Sequence, residues 1–294
     1  MLSVLIPTYN FNSFSLVESV YNQLKESKID FEIICLDDAS QSDLNLQNQK
    51  INQLDFCSFS TLETNMGRSA IRNFLVEKAN YNWLLFLDGD VMPFSSNFIN
   101  NYIEQITKNK FTVFCGGIKY QRDKENKESL HVKHGIENEE VTSILRNKKP
   151  YKYFFTSNFL IKKDVFDLVK FEEKLIKYGR EDFLFAKGLK EKVIQIHHIS
   201  NEILHLGIED DITFINKTKQ AMKNLHFLAS ENLISWNETI LLRILKILES
   251  LKIFKFVGRL QTYFERKTLK NKSLFYLNCL KVSYLCNLKA NHGE

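Results

Sequence analysis

Residues 83–93 read WLLFLDGDVMP: an apolar run that ends in two carboxylates, Asp88 and Asp90, with Gly89 between them. Like charges this close repel unless a cation answers them. A hard divalent ion such as Mg²⁺ or Mn²⁺ takes carboxylate oxygens and keeps coordination positions for water and substrate phosphates. Two carboxylates are too few for a closed structural site, so phosphate oxygens would complete the shell. Gly89 lets the backbone approach closely. A second acid pair, Asp37 and Asp38, ends the apolar run FEIICL, and a third, Glu181 and Asp182, lies in YGREDFLF. Arg68 and Arg72 lie one helical turn apart near the start of GRSAIRNFLVEKA, where a phosphate is favoured by charge and by a helix N-terminus. Each of these groups also has a plainer reading: solvated loop acids, surface arginines, or acids at the positive end of a helix.

Among the histidines, His131 and His134 have ligand-like spacing but lie in a charged stretch without nearby cysteines. His197 and His198 are adjacent and so point to opposite faces of a strand. Neither pair makes a metal site.

The elements that must position these groups alternate. SVLIPT reads as a buried strand, SLVESVYNQLKES has helical apolar spacing, and FEIICLDD is a second strand. FCSFSTLE is a weaker strand, GRSAIRNFLVEKA a helix opening just after Gly67, and WLLFLDGD a fourth strand. This order predicts an α/β fold with a mostly parallel sheet and helices on both faces. Ligands of open α/β sheets bind beyond the carboxyl ends of the strands, which is where Asp37, Asp38, Asp88 and Asp90 stand. Beyond FTVFCGG, residues 121–149 are highly charged and read as an exposed, mobile excursion. YKYFFTSNFLIKKDVFDLV is an apolar run followed by a helix start, KVIQIHH and NEILHLG are short strands, and the pattern is helical from about 212 onward.

The 294 residues are 44% hydrophobic and 26% charged, which suits a sizeable core and excludes a disordered chain. The start MLSVLIPTYN has no signal-peptide features, and no apolar run is long enough to span a bilayer. Five cysteines form no CxxC pair and read as reduced thiols in a reducing compartment, which predicts a cytoplasmic protein. The net charge of +5 is uneven: residues 241–294 carry eleven Lys and Arg against three acids, leaving the remainder net acidic. Within that tail, ETILLRILKILESLKIFKFVGRL reads either as a helix packed on the catalytic part or as an interfacial helix on the anionic inner face of the plasma membrane. No nucleic-acid-binding motif is present.

Taken together and in order, SVLIPTYN, CLDDAS, NMGRSAIRN, FLDGDVMP and YGREDFLFAKGL resemble the motifs of glycosyltransferase family 2, over roughly residues 1–210. Ala39 and Ile71 depart from it, standing where glycine and alanine are usual. The resemblance implies a GT-A fold in residues 1–211, with a nucleotide-binding half (1–93) and an acceptor-binding half (94–211), followed by a helical basic region, 212–294. It implies an inverting transferase using a nucleotide-sugar donor, with UDP expected, and a saccharide or lipid-linked glycan acceptor, in surface polysaccharide synthesis. Pro7, Thr8, Tyr9, Asn10, Asp38, Asn65, Gly67, Arg68, Arg72, Asp88 and Gly89 would hold the donor. Asp90 would be the principal ligand of Mn²⁺ or Mg²⁺, with Asp88 and His205 beside it. Asp182 would be the general base, with Glu181 beside it to position the acceptor. The absence of a Gln-x-x-Arg-Trp segment argues against a processive synthase. A nucleotidyltransferase of the same fold, or an inactive relative serving as a scaffold, are the alternatives; PTYNFNSF lacks the glycine-rich loop of the former.

Overall fold

The computed structural model describes residues 1–122 and 126–291. Ten strands are present among them: β1 (Leu2–Thr8), β2 (Phe31–Asp37), β3 (Cys57–Thr61), β4 (Trp83–Leu87), β5 (Val91–Pro93), β6 (Val113–Cys115), β7 (Ile118–Tyr120), β8 (Asn158–Lys162), β9 (Ile196–His198) and β10 (Ile203–His205). Seven make the main sheet in the order β3-β2-β1-β4-β8-β6-β9. The pairs β1–β2, β1–β4, β2–β3 and β6–β9 are parallel, while β8 runs antiparallel to both β4 and β6. The continuous apolar runs of the sequence explain the centre: β4 is buried at every position and β1 at all but Pro7.

From β1 the chain moves outward to β2 and β3, then returns to place β4 on β1's other side. The strand order therefore reverses between β1 and β4, a switch point at which open sheets leave a crevice for ligand. Thr8 ends one of these strands and Leu87, just before Asp88, ends the other. A second, three-stranded sheet, β5-β10-β7, begins three residues after β4 and carries the chain on from the Asp-Gly-Asp tip.

The core over one part of the sheet is an aromatic cluster. Phe86 stacks on Phe159 with ring centroids 4.6 Å apart, and Phe171 on Phe185 at 4.3 Å, with Phe154 and Phe166 between them. Packing of this kind is worth more than its buried area alone, and it seats two helices that carry site residues, Arg68–Lys78 and Glu181–Glu191.

The chain divides into two compact units. The first is residues 1–121, 135–176 and 181–207; the second is 122–134, 177–180 and 208–294. Within the second, the helix Asp211–Ser230 is capped by Asp210, whose carboxylate accepts from Ile212 and Thr213 N–H. Its buried Asn224 donates Nδ2–H to the carbonyls of Lys177, at 2.8 Å, and Gly179, at 2.7 Å. Leu130, Ile215, Leu277 and Leu280 form its buried apolar cluster. No helix among the described residues is long and apolar enough to cross a membrane.

The stretch 121–149 departs from the exposed excursion its charge predicts; its residues 123–125 lie outside the described residues. It contains two helices, Leu130–Asn138 and Ser143–Lys148, with Leu130, Val132 and Arg146 fully buried. Arg146 is the reason the second helix docks. Its Nε donates to the Val141 carbonyl, Nη2 to those of Gly116 and Ile199, and Nη1 to that of Cys115 and to His198 Nδ1. A buried guanidinium with its donors answered by carbonyls binds a loop to a sheet edge without a carboxylate partner.

Candidate active site

The loop after β1 holds Pro7–Asn10. Ser13 Oγ lies 2.9 Å from Thr8 Oγ1 and 3.0 Å from the Gly89 carbonyl, while Gly89 N–H donates to the Pro7 carbonyl at 3.2 Å. A Cβ on Gly89 would stand 2.7 Å from both Thr8 Oγ1 and Ser13 Oγ, so the β1 and β4 loops meet only because this residue is glycine. Tyr9 is exposed, and Asn10 holds a left-handed φ of 52°.

The acid pair after β2 divides its work. Asp37 closes its own turn, accepting from Ser40 N–H and Oγ–H at 2.8 and 2.7 Å. Asp38 accepts from Met66 N–H at 2.7 Å and Gly67 N–H at 2.9 Å, and Asn65 Nδ2–H donates to its carbonyl at 2.8 Å. Asp38 thus pins the segment 65–67 that leads into the helix Arg68–Lys78. Burial raises its pKa, opposed by those two amide bonds and reinforced by Asp37. Ala39, where the family pattern has glycine, keeps the left-handed backbone that glycine would supply, with φ 58°.

The two arginines make different contacts. Arg72 is 2% exposed; its Nη2 lies 2.5 Å from Asp88 Oδ1, its Nη1 donates to the Arg68 carbonyl at 2.8 Å, and its guanidinium sits 5.7 Å over the Phe171 ring. Phe171 is clamped in turn by Asn73, which exchanges two hydrogen bonds with its backbone at 2.9 and 3.0 Å. Burial alone would raise the Asp88 carboxyl, but Arg72, Arg68 and His205 outweigh it and hold it below the ordinary carboxylate range. Arg68 is the exposed member, 43% accessible, and its Nη1 lies 3.6 Å from Glu181 Oε1. Glu181 Oε2 is buried with no hydrogen-bond partner among the described residues. Asp182, at the first turn of the helix Glu181–Glu191, is half-buried and accepts from Phe183 N–H at 2.6 Å.

Asp88, Asp90 and His205 do not gather as three ligands: among the described residues no group of three or more His, Cys, Asp or Glu is placed to hold a metal ion. Asp88 is paired with Arg72. Asp90 and His205 remain together. The register of β5 against β10 sets His205 opposite Val91, and Nε2 lies 3.9 Å from Asp90 Oδ2. Asp90 is one-third exposed, and a Cβ on Gly207 would stand 2.2 Å from its Oδ2. An oxygen and an imidazole nitrogen on an open rim suit a cation that takes its remaining ligands from a substrate.

Three further histidines are engaged in packing. His197 stacks on Phe111 at 4.5 Å, His198 is buried against Arg146, and His131 stacks on Phe214 at 5.0 Å. Arg146 and Ser13 carry no sequence signal of their partners, and Asn73, although it ends the motif NMGRSAIRN, gives no sign there of its bonds to Phe171.

Comparison with known proteins bears on the family and the fold. In sequence the chain is 26% identical to the uncharacterized glycosyltransferase YfnE of Bacillus subtilis (strain 168), over 68% of this chain and 65% of that protein. In structure it resembles the mannosyltransferase PcManGT from Pyrobaculum calidifontis in complex with GDP-Man and Mn²⁺, with a TM-score of 0.54 and 13% identity over 79% of this chain and 64% of that one. It also resembles S. aureus TarS 1-349 in complex with UDP-GlcNAc, with a TM-score of 0.53 and 16% identity over 99% of this chain and 91% of that one. The chain therefore spans just under two thirds of the length of YfnE and of PcManGT. The fold is that of the GT-A glycosyltransferases. The model of the family described as glycosyl transferase family 2 matches residues 3–169, more than half of the chain, and the chain belongs to that family.

Proposed function

We propose that this glycosyltransferase moves a sugar from a UDP-sugar to a hydroxyl of a saccharide or lipid-linked glycan acceptor, with inversion. The observation that carries the reading is a run of contacts joining the two halves of the chemistry. Glu181, beside the candidate base, meets Arg68; the Arg68 carbonyl receives Arg72; and Arg72 holds Asp88 at the end of β4. In this reading an acid of the donor side, Asp88, and one of the acceptor side, Glu181, both contact arginines of the helix Arg68–Lys78.

In this reading Tyr9 and Asn10 face the nucleoside, with Pro7 and Thr8 supporting their loop. Asp38 and Asn65 shape the wall at Gly67 on which the base rests. Arg68, the more accessible of the two arginines, meets the diphosphate at a helix N-terminus, where an anion is favoured. Asp88, held ionised by Arg72, accepts from a donor hydroxyl, and Gly89 gives the donor room. Asp182 accepts the proton of the acceptor hydroxyl as it attacks the anomeric carbon from the side opposite the leaving diphosphate, which inverts that centre. Glu181 orients the acceptor. Asp90 and His205 would hold Mn²⁺ or Mg²⁺, which when bound stabilises charge on the leaving diphosphate.

The supporting experiment is thermal denaturation against a panel of nucleotide sugars, with and without Mn²⁺. A ligand at a hundred times its Kd adds about 2.7 kcal/mol to stability. The reading expects the largest upward shift with a UDP-sugar plus Mn²⁺, and loss of the Mn²⁺-dependent part in Asp90→Ala. No shift with any nucleotide sugar, or the same Mn²⁺ increment in the variant, contradicts it.

A further inference from the structure

The helix Ile240–Ser250 and the short helix Phe254–Arg259 carry an apolar surface that the fold does not use. Leu242 and Leu245 are the buried residues of the first helix, which packs against the helix Leu274–Asn291. At 3.6 residues per turn, Ile240, Ile247 and Leu251 fall within about 40° of one another on the opposite side. They are 68, 58 and 61% exposed. The stripe continues into the next turn and helix as Ile253, 43% exposed, and Phe256, 65% exposed. A helix packed on one side only should be polar on the other; this one is apolar on both.

The residues around the stripe say what it meets. Arg243, Lys246, Lys252, Lys255 and Arg259 are all exposed, and Glu249 is the single acid from Ile240 to Arg259. Glu249 is engaged by Lys289, at 3.5 Å, on another helix. An exposed apolar stripe flanked by basic side chains complements a surface that is oily beneath and anionic on top. It is a poor match for a second copy of itself, which would bring five like charges against five. It is also a poor match for nucleic acid, which offers phosphate but nothing for Ile247, Leu251 and Phe256. No helix among the described residues can cross a membrane, so the contact would lie in the interface plane.

We infer that the segment Ile240–Arg259 is an interfacial anchor for anionic phospholipid, its apolar side chains entering the headgroup region and its lysines and arginines meeting the lipid phosphates. This is independent of the transfer chemistry proposed above.

The test is co-sedimentation of the full chain with vesicles of phosphatidylcholine alone and of phosphatidylcholine mixed with phosphatidylglycerol. Binding to the mixed vesicles only, weakened by salt, is expected. Arg243→Ser, Lys252→Ser and Lys255→Ser together should weaken it about a hundredfold, and Ile247→Ser with Phe256→Ser should abolish it. All five positions are exposed, so the thermal melt and donor-induced shift should stay unchanged, separating this claim from the catalytic one. Equal binding to both vesicles, or none, overturns it. So does light scattering that shows a dimer lost in Ile247→Ser with Phe256→Ser, which would make the occupant a second copy.

Discussion

At the scale of residues, the repulsion between Asp88 and Asp90 is resolved in two ways. Asp88 has its counter-charge built into the protein, in Arg72 at 2.5 Å, and Asp90 faces outward with His205 at 3.9 Å. The acids stand out in the sequence because two strand ends of one sheet both carry acid pairs, Asp37-Asp38 and Asp88-Gly89-Asp90. Their partners do not: Arg68 and Arg72 look alike in sequence, and burial against Phe171 is what distinguishes them. Removing Arg72 leaves Asp88 without its counter-charge in a largely dehydrated site. Arg72→Met should cost about 3 kcal/mol in chemical denaturation and weaken donor binding as well. A loss below about 1 kcal/mol would show that the pair does not hold the tip of β4.

At the scale of elements, hydrophobic runs located the central strands well, since a fully buried parallel strand has little choice of composition. Outside 123–125, the charges of the stretch 121–149 look like a solvated face, yet Arg146 satisfies its donors inward on backbone carbonyls. That docking also fixes a histidine. Arg146 cannot accept, so His198 Nδ1 is the acceptor and Nε2–H donates to the Pro150 carbonyl at 2.9 Å. Burial, and Arg146 behind it, lower the His198 pKa to about 4. His134, in the second unit, is lowered to about 3 by burial and by Lys281. A histidine whose folded pKa is depressed leaves the unfolded chain binding more protons between the two values. Stability should therefore be full above about pH 6.5 and fall as pH drops toward 4, with His198 alone contributing on the order of 3 kcal/mol. Denaturation midpoints from pH 7.5 to 4.5 check this: His198→Gln, which keeps an acceptor and a donor, should flatten the profile. An unchanged slope would mean that His198 takes up its proton without cost to the fold.

At the scale of the whole molecule, charge and motif divide the chain alike. The family motifs lie before the tail, while residues 241–294 hold the excess of lysine and arginine. What composition could not show is that distant segments complete each unit. Residues 177–180 join the second unit, where Asn224 holds the Lys177 and Gly179 carbonyls, a contact between positions more than forty apart that no local pattern announces. Family motifs point to a candidate donor site because phosphate, ribose and metal impose the same few residue types; acceptors impose no such pattern, and the residues that would select one carry no signal.

The central claim is that Asp182 is the base of a sugar transfer for which the donor is already bound. Its most direct measurement is the rate of nucleoside diphosphate release from UDP-sugars in Mn²⁺ by the wild type and by Asp182→Asn, at donor concentrations saturating by thermal shift. The account predicts unchanged donor binding and release slower by about 10²- to 10⁴-fold. Release at the wild-type rate in Asp182→Asn would contradict it.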